Sequence, residues 1–234
     1  MRAGRDTLVS VTQRSARHTV TIPLVTTSDM AIHDTLDVML TSTGGSIAAF
    51  KLKLGLESPF LDIDTILRGE LCDSCHWQFF NSRSINTANK PNSPLALWQA
   101  VAIARSNPVD TTPVCYGLSR TASILRVVVS TSPLAQIKDT VVPIFFFWED
   151  CSDNTFSNVS GDTLMLAARV IDFNGRDLQS ENNVFPSHSG GVEQCIKPGR
   201  KNPPLREIEF RSGGVIFKLD VGQPLPDSSS LQNK

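Results

Sequence analysis

The chain has 234 residues, enough for one large domain or two small ones, and its 40% hydrophobic and 19% charged content is that of a globular protein. A formal net charge of -1 excludes a protein that coats nucleic acid with its whole surface. No apolar run reaches the ~20 residues of a membrane-spanning helix, and the longest, Val141 to Trp148, is interrupted by Pro143.

Taken in chain order, the first 18 residues form a mildly basic, Ser/Thr-rich arm. Arg2, Arg5, Arg14, Arg17 and His18 stand there against the single acid Asp6, a pattern able to touch phosphates without sequence preference. The arm lacks the apolar stretch of a signal peptide, so the chain is expected to stay in a reducing compartment. Its five cysteines, an odd number without a regular framework, are then expected to be thiols.

His18 to Val25 alternates, with Val20, Ile22 and Leu24 on one face, and Thr35 to Leu40 repeats the pattern. Gly44-Gly45 breaks the chain before Ile47 to Leu56, where Phe50, Leu52, Leu54 and Leu56 alternate with Lys51 and Lys53 as in a half-buried strand. Helix competes with strand at Pro59 to Arg68 and Leu95 to Arg105, and Leu71 to Phe80 is ambiguous. Asn81 to Pro94 reads as a polar loop. Ser123 to Ser130 is a β-branched strand, and Val141 to Trp148 is apolar enough to be buried on both faces. Thr163 to Phe173 is a further strand, followed by a long loop, Asn174 to Pro204. Leu205 to Arg211 and Val215 to Val221 flank Ser212-Gly213-Gly214, which reads as a hairpin. Strands at this spacing predict an all-β fold: a single jelly-roll β-sandwich of about eight strands. Residues 18–222 form the sandwich, with extended arms at 1–17 and 223–234.

The chemistry-bearing motifs are few. Cys72-Asp73-Ser74-Cys75-His76 has the spacing of a haem attachment or half a zinc site, but no second ligand pair accompanies it. Glu149, Asp150 and Asp153 gather after the apolar strand, where carboxylates can hold a divalent ion, without the spacing of an EF-hand loop. Asp62 and Asp64 lie two apart with no partner acid or histidine assignable to them. Gly117-Leu118-Ser119-Arg120-Thr121 misses the last glycine of a nucleophile elbow. The sequon Asn158-Val159-Ser160 matters only in a secreted protein. Neither a catalytic set nor a cofactor or metal site is expected. The run Phe145-Phe146-Phe147-Trp148 places aromatics on both faces of one strand, one for the core and one for a second layer or another chain.

The segment Ser130 to Asp150, STSPLAQIKDTVVPIFFFWED, resembles the penultimate-strand region of jelly-roll coat proteins from picorna-like plant viruses. The nearest likeness is to the secovirid group, which includes comoviruses, nepoviruses and cheraviruses. The resemblance implies a structural, non-enzymatic subunit of an icosahedral capsid, partnered by sister coat proteins and enclosing genomic single-stranded RNA. It implies a virion protein, made in the host cytoplasm and without membrane contact, with Arg2, Arg5, Arg14 and Arg17 facing RNA. Phe145, Phe146, Phe147 and Trp148 would then form core and interface. Two other readings share the same strands: a cytosolic β-sandwich module binding glycans or peptides, and a β-rich viral movement protein.

Overall fold

The computed structural model describes residues 13–27, 33–88, 93–106, 114–115, 121–131, 140–149, 152–178 and 205–218. Thirteen strands and one short helix lie within them. They are β1 (Gln13–Thr21), β2 (Leu24–Thr27), β3 (His33–Ser42), β4 (Ala49–Leu56), β5 (Leu61–Arg68), α1 (Glu70–Ser74), β6 (Phe79–Ile85) and β7 (Ala96–Ile103). β8 (Thr121–Thr131), β9 (Thr140–Phe146), β10 (Thr155–Ser157), β11 (Leu164–Ile171), β12 (Leu205–Arg211) and β13 (Gly213–Phe217) follow. The fold is an all-β jelly-roll sandwich.

Hydrogen bonding runs through all thirteen strands, folded into two layers. One layer has the order β11-β12-β1-β3-β8-β5, and the other β2-β13-β9-β4-β7-β6, with β10 bridging β4 and β11 at a corner. Alternation aims one set of side chains into the gap. Leu36, Val38 and Leu40 of β3 face inward from the first layer, and Phe50, Leu52, Leu54 and Leu56 of β4 from the second. On β7, Ala100 and Ala102 stand opposite Leu52 and Phe50, so a small residue meets a large one across the pair. The centre is aromatic: Phe146 and Trp148 meet Phe210 edge-on at 4.8 and 5.5 Å, and Phe50 contacts Trp77 and Phe156 at 5.8 and 5.7 Å. Edge-on contacts of this kind add roughly 0.5–1.5 kcal/mol beyond burial alone.

The strand count exceeds the expected eight in part because two long strands each change layers part-way and are thereby counted twice; short or polar strands such as β10 and β6 add to it. β1 continues into β2 across Ile22-Pro23, and β12 into β13 across Ser212. These terminal strands pair in parallel on both sides of the crossing, His18 with Ile208 and Val25 with Val215. The hairpin read at Ser212-Gly213-Gly214 is therefore not formed: β12 bonds β1 and β11, whereas β13 bonds β2 and β9. The glycines serve close approach instead. A Cβ on Gly213 would lie 2.1 Å from the Ile22 carbonyl oxygen, and one on Gly214, at φ +142, 2.2 Å from that of Val142. Gly213→Ala should therefore destabilise by about 1–3 kcal/mol, as overpacking does elsewhere, read as a lower urea midpoint with unchanged slope. An unchanged midpoint would mean the crossing is looser than this.

Both segments where helix competed are strands, β5 and β7, because their apolar residues fill layer positions that local spacing does not reveal. Residues Phe79 to Ile85, with Asn81 to Ile85 among them expected in a loop, form β6, a polar strand paired with β7 along its length. The only helix among the described residues is α1, which carries the cysteine motif. The basic arm is shorter than expected, since β1 begins at Gln13. Arg2, Arg5 and the tail 223–234 lie outside the described residues, as does the side chain of Arg14. Arg17 is half-exposed and pairs with Glu207 at 3.7 Å.

His18 is a buried polar group at the junction of the terminal strands. Its Nδ1 shares a hydrogen bond of 2.9 Å with the Ser42 hydroxyl of β3. Burial pushes its pKa below the ordinary 6.5, opposed by the nearby Glu207 and assisted by Arg17. The unfolded chain thus takes up this proton first on acidification. Stability should be full above about pH 6.5 and fall as pH drops from there toward the lowered folded value. Comparison of urea midpoints near neutrality and about pH 5 tests this, and His18→Gln should flatten that part of the profile.

Candidate protein-binding face

The outer surface of β6-β7-β4-β9 is the most distinctive part of the molecule. Register builds it in rows. Ile85, Leu97, Gly55 and Phe145 lie side by side across four strands, and Asn81, Val101 and Lys51 form a second row. Between these rows Arg83, Gln99 and Lys53 align with Phe147, whose N–H donates to the Lys53 carbonyl at 3.0 Å. A Cβ on Gly55 would lie 2.7 Å from the Phe145 ring and 3.1 Å from Pro94, so both rest directly on the glycine backbone. Phe145 and Phe147 stack edge-on at 6.5 Å, half-buried, and border an open groove of about 440 Å³ also lined by Pro143, Phe173, Arg176 and Leu178.

The aromatic run divides as its alternation predicts: Phe146 and Trp148 enter the core, while Phe145 and Phe147 point outward. An ion network fixes the turn that follows. The Lys53 ammonium bonds Glu149 and reaches Asp153 at 2.9 Å, and Lys51 reaches Asp153 at 2.7 Å and donates to Ser152 at 3.1 Å. Asn154 accepts from the Lys53 N–H and donates to the Phe147 carbonyl, both at 2.8 Å. Burial alone would lower the Lys53 pKa, but its hydrogen bonds to Glu149 and Asp153 outweigh this and hold it above its ordinary value. The carboxylates considered for a divalent ion therefore have two lysines as their cations; Asp150 lies outside the described residues. Sequence reading marked Lys51 and Lys53 only as the polar side of a strand, because their partners lie about a hundred residues away.

The cysteine motif has a different outcome from that expected. Cys75, at the C-cap of α1, is bonded to Cys115, with Cα atoms 4.8 Å apart. That bond removes Cys75 from any haem or zinc set. Cys72 is buried, and burial pushes its thiol up to about 12, so it stays protonated and unreactive. Asp64 gains neighbours the sequence did not show: His33 at 3.4 Å and the Ser130 hydroxyl, which donates at 2.8 Å. Both end on the carboxylate, so Ser130 has no base and the group is no nucleophilic triad. Residues 117–120 of the elbow-like motif lie outside the described residues.

No family model matches this chain, and neither does any curated protein. Solved structures similar to it in outline are cohesins. The third cohesin of ScaC from Acetivibrio cellulolyticus, in complex with the ScaB dockerin, is 11% identical, with 86% of this chain and 99% of that one covered at a TM-score of 0.48. The seventh ScaB type I cohesin from Pseudobacteroides cellulosolvens is 8% identical over 91% and 97%, also at 0.48. A non-cellulosomal cohesin from Archaeoglobus fulgidus is 11% identical over 86% and 91%, at 0.37. Likeness at this level assigns neither family nor function.

Proposed function

We propose that this domain is a non-catalytic module that binds another protein through the outer face of β6-β7-β4-β9. The observation that carries the proposal is the pair Phe145 and Phe147, held partly exposed at the end of β9. The Lys53 network locks the turn behind them, and the Phe145 ring rests on the bare backbone of Gly55. Aromatic anchors on a preorganised surface are the usual energetic centre of a protein interface. The Cys75–Cys115 bond supports work in an oxidising compartment, where such bonds persist.

Photocrosslinking in the native source tests this reading. A probe at Val101, on the proposed face, should capture a defined protein, while one at Thr41, on the opposite layer, should not. Equal capture from both positions, or none from Val101, would sink the reading.

The likeness of Ser130 to Asp150 to secovirid coat proteins favours a second reading, a capsid subunit whose partners are sister coat proteins around single-stranded RNA. Closed particles containing RNA, seen by negative-stain microscopy of the protein from its source, would select it. A slowly sedimenting species free of RNA would select the module.

A further inference from the structure

Among the described residues three strands border the layers, and one of them, β6, carries none of the usual edge protection. β2 is four residues long, too short to template another strand. β5 is bulged between Ile63 and Thr65 and carries outward Asp62 and Asp64, both ways of blunting an edge. β6 has seven residues, FFNSRSI, without bulge, proline or lysine, and among the described strands it pairs only with β7. On its inner side Phe80 packs against the core, and Ser82 donates from its hydroxyl to the Ile66 carbonyl of β5 at 2.6 Å, closing the two layers at this rim. Its outward residues Phe79, Asn81 and Arg83 are exposed, Phe79 by 40%.

We propose that β6 joins two copies of this chain, pairing antiparallel with its own counterpart about a two-fold axis at Ser82. The sequence is self-complementary in that register. Phe79 meets Ile85 of the second copy, and Asn81 meets Arg83 of the second copy, each contact occurring twice. All four residues lie on the outer face, so the dimer joins the two Phe145 faces into one continuous surface. An isologous contact of this kind closes on itself and stops at two. It is a separate claim from binding of a different protein by that face, because the edge and the face present different atoms.

Sedimentation equilibrium of the full chain, over a concentration series, tests the pairing. The wild type should show a reversible monomer–dimer equilibrium. Asn81→Asp places a carboxylate opposite Arg83 at two symmetric positions and should tighten dimerisation by up to about tenfold, whereas Asn81→Lys opposes like charges and should weaken it by a similar factor. Asn81 is exposed, so neither change should shift the melting temperature of the monomer, measured at dilutions where no dimer forms. A monomer throughout the series, or a dimer that both variants leave unchanged or shift in the same direction, would overturn the assignment. Crosslinking from Val101 to a different protein reads the face independently, so the edge can fail while the face stands, and the reverse.

Discussion

Lys53→Met should lower the stability of the domain by about 2–3 kcal/mol, less than the full cost of breaking a buried ion pair from one side because Asp153 keeps Lys51. The Lys53 side chain is 7% exposed and the Asp153 side chain not at all, so removing the ammonium leaves a carboxylate that water does not reach with only the partly exposed Lys51 as its cation. Methionine keeps the aliphatic stem and its packing, which isolates the charge. Lys51→Met should cost less, because Lys51 is 29% exposed and Asp153 keeps Lys53. Urea unfolding of the two variants gives the comparison, and equal losses would mean the charges are more solvated than this geometry implies. Lys53 also sets an alkaline limit. Its folded pKa is raised, so its contribution is full below its unfolded value and disappears as pH rises through the folded one.

The second large effect belongs to the Cys75–Cys115 bond. Closing a loop of 40 residues restricts the unfolded chain by about 4 kcal/mol on the chain-entropy model. The double variant Cys75→Ser, Cys115→Ser should lose most of that, and a thiol reductant should lower the wild-type urea midpoint to the same value. Indifference of the wild type to reductant would show that the two sulfurs are not joined. The bond fastens the connection between β7 and β8 to the end of α1, where the Trp77 indole N–H also donates to the Cys115 carbonyl at 3.2 Å.

Much of the sandwich was legible because burial on one side of a strand leaves a period of two. β3, β4, β8, β9, β11 and β12 all lie where alternating or continuous apolar residues placed them. What escaped depends on partners distant in sequence. β6 has the composition of a loop and is a strand because β7 holds it. Gly213 and Gly214 look like a turn, and only the backbone of Ile22 and Val142 nearby gives them their other purpose. The same holds for the candidate site. Phe145 to Trp148 announced itself by composition, whereas Lys53, Gly55 and Pro94 acquire meaning only when β4, β9 and the turn after it come together. A cysteine pairing across 40 residues leaves no local trace either.

The parallel pairing of the first and last strands has a mechanical consequence. β1 with β2, and β12 with β13, run the same way side by side. The segment before β1 and the segment after β13 therefore leave from opposite ends of the shared ladder. A pull between them slides one strand along the other and loads the cross-strand bonds together. An antiparallel terminal hairpin under the same pull would open one bond at a time, like a zipper. Parallel terminal strands would thus meet a pull on their two ends in shear.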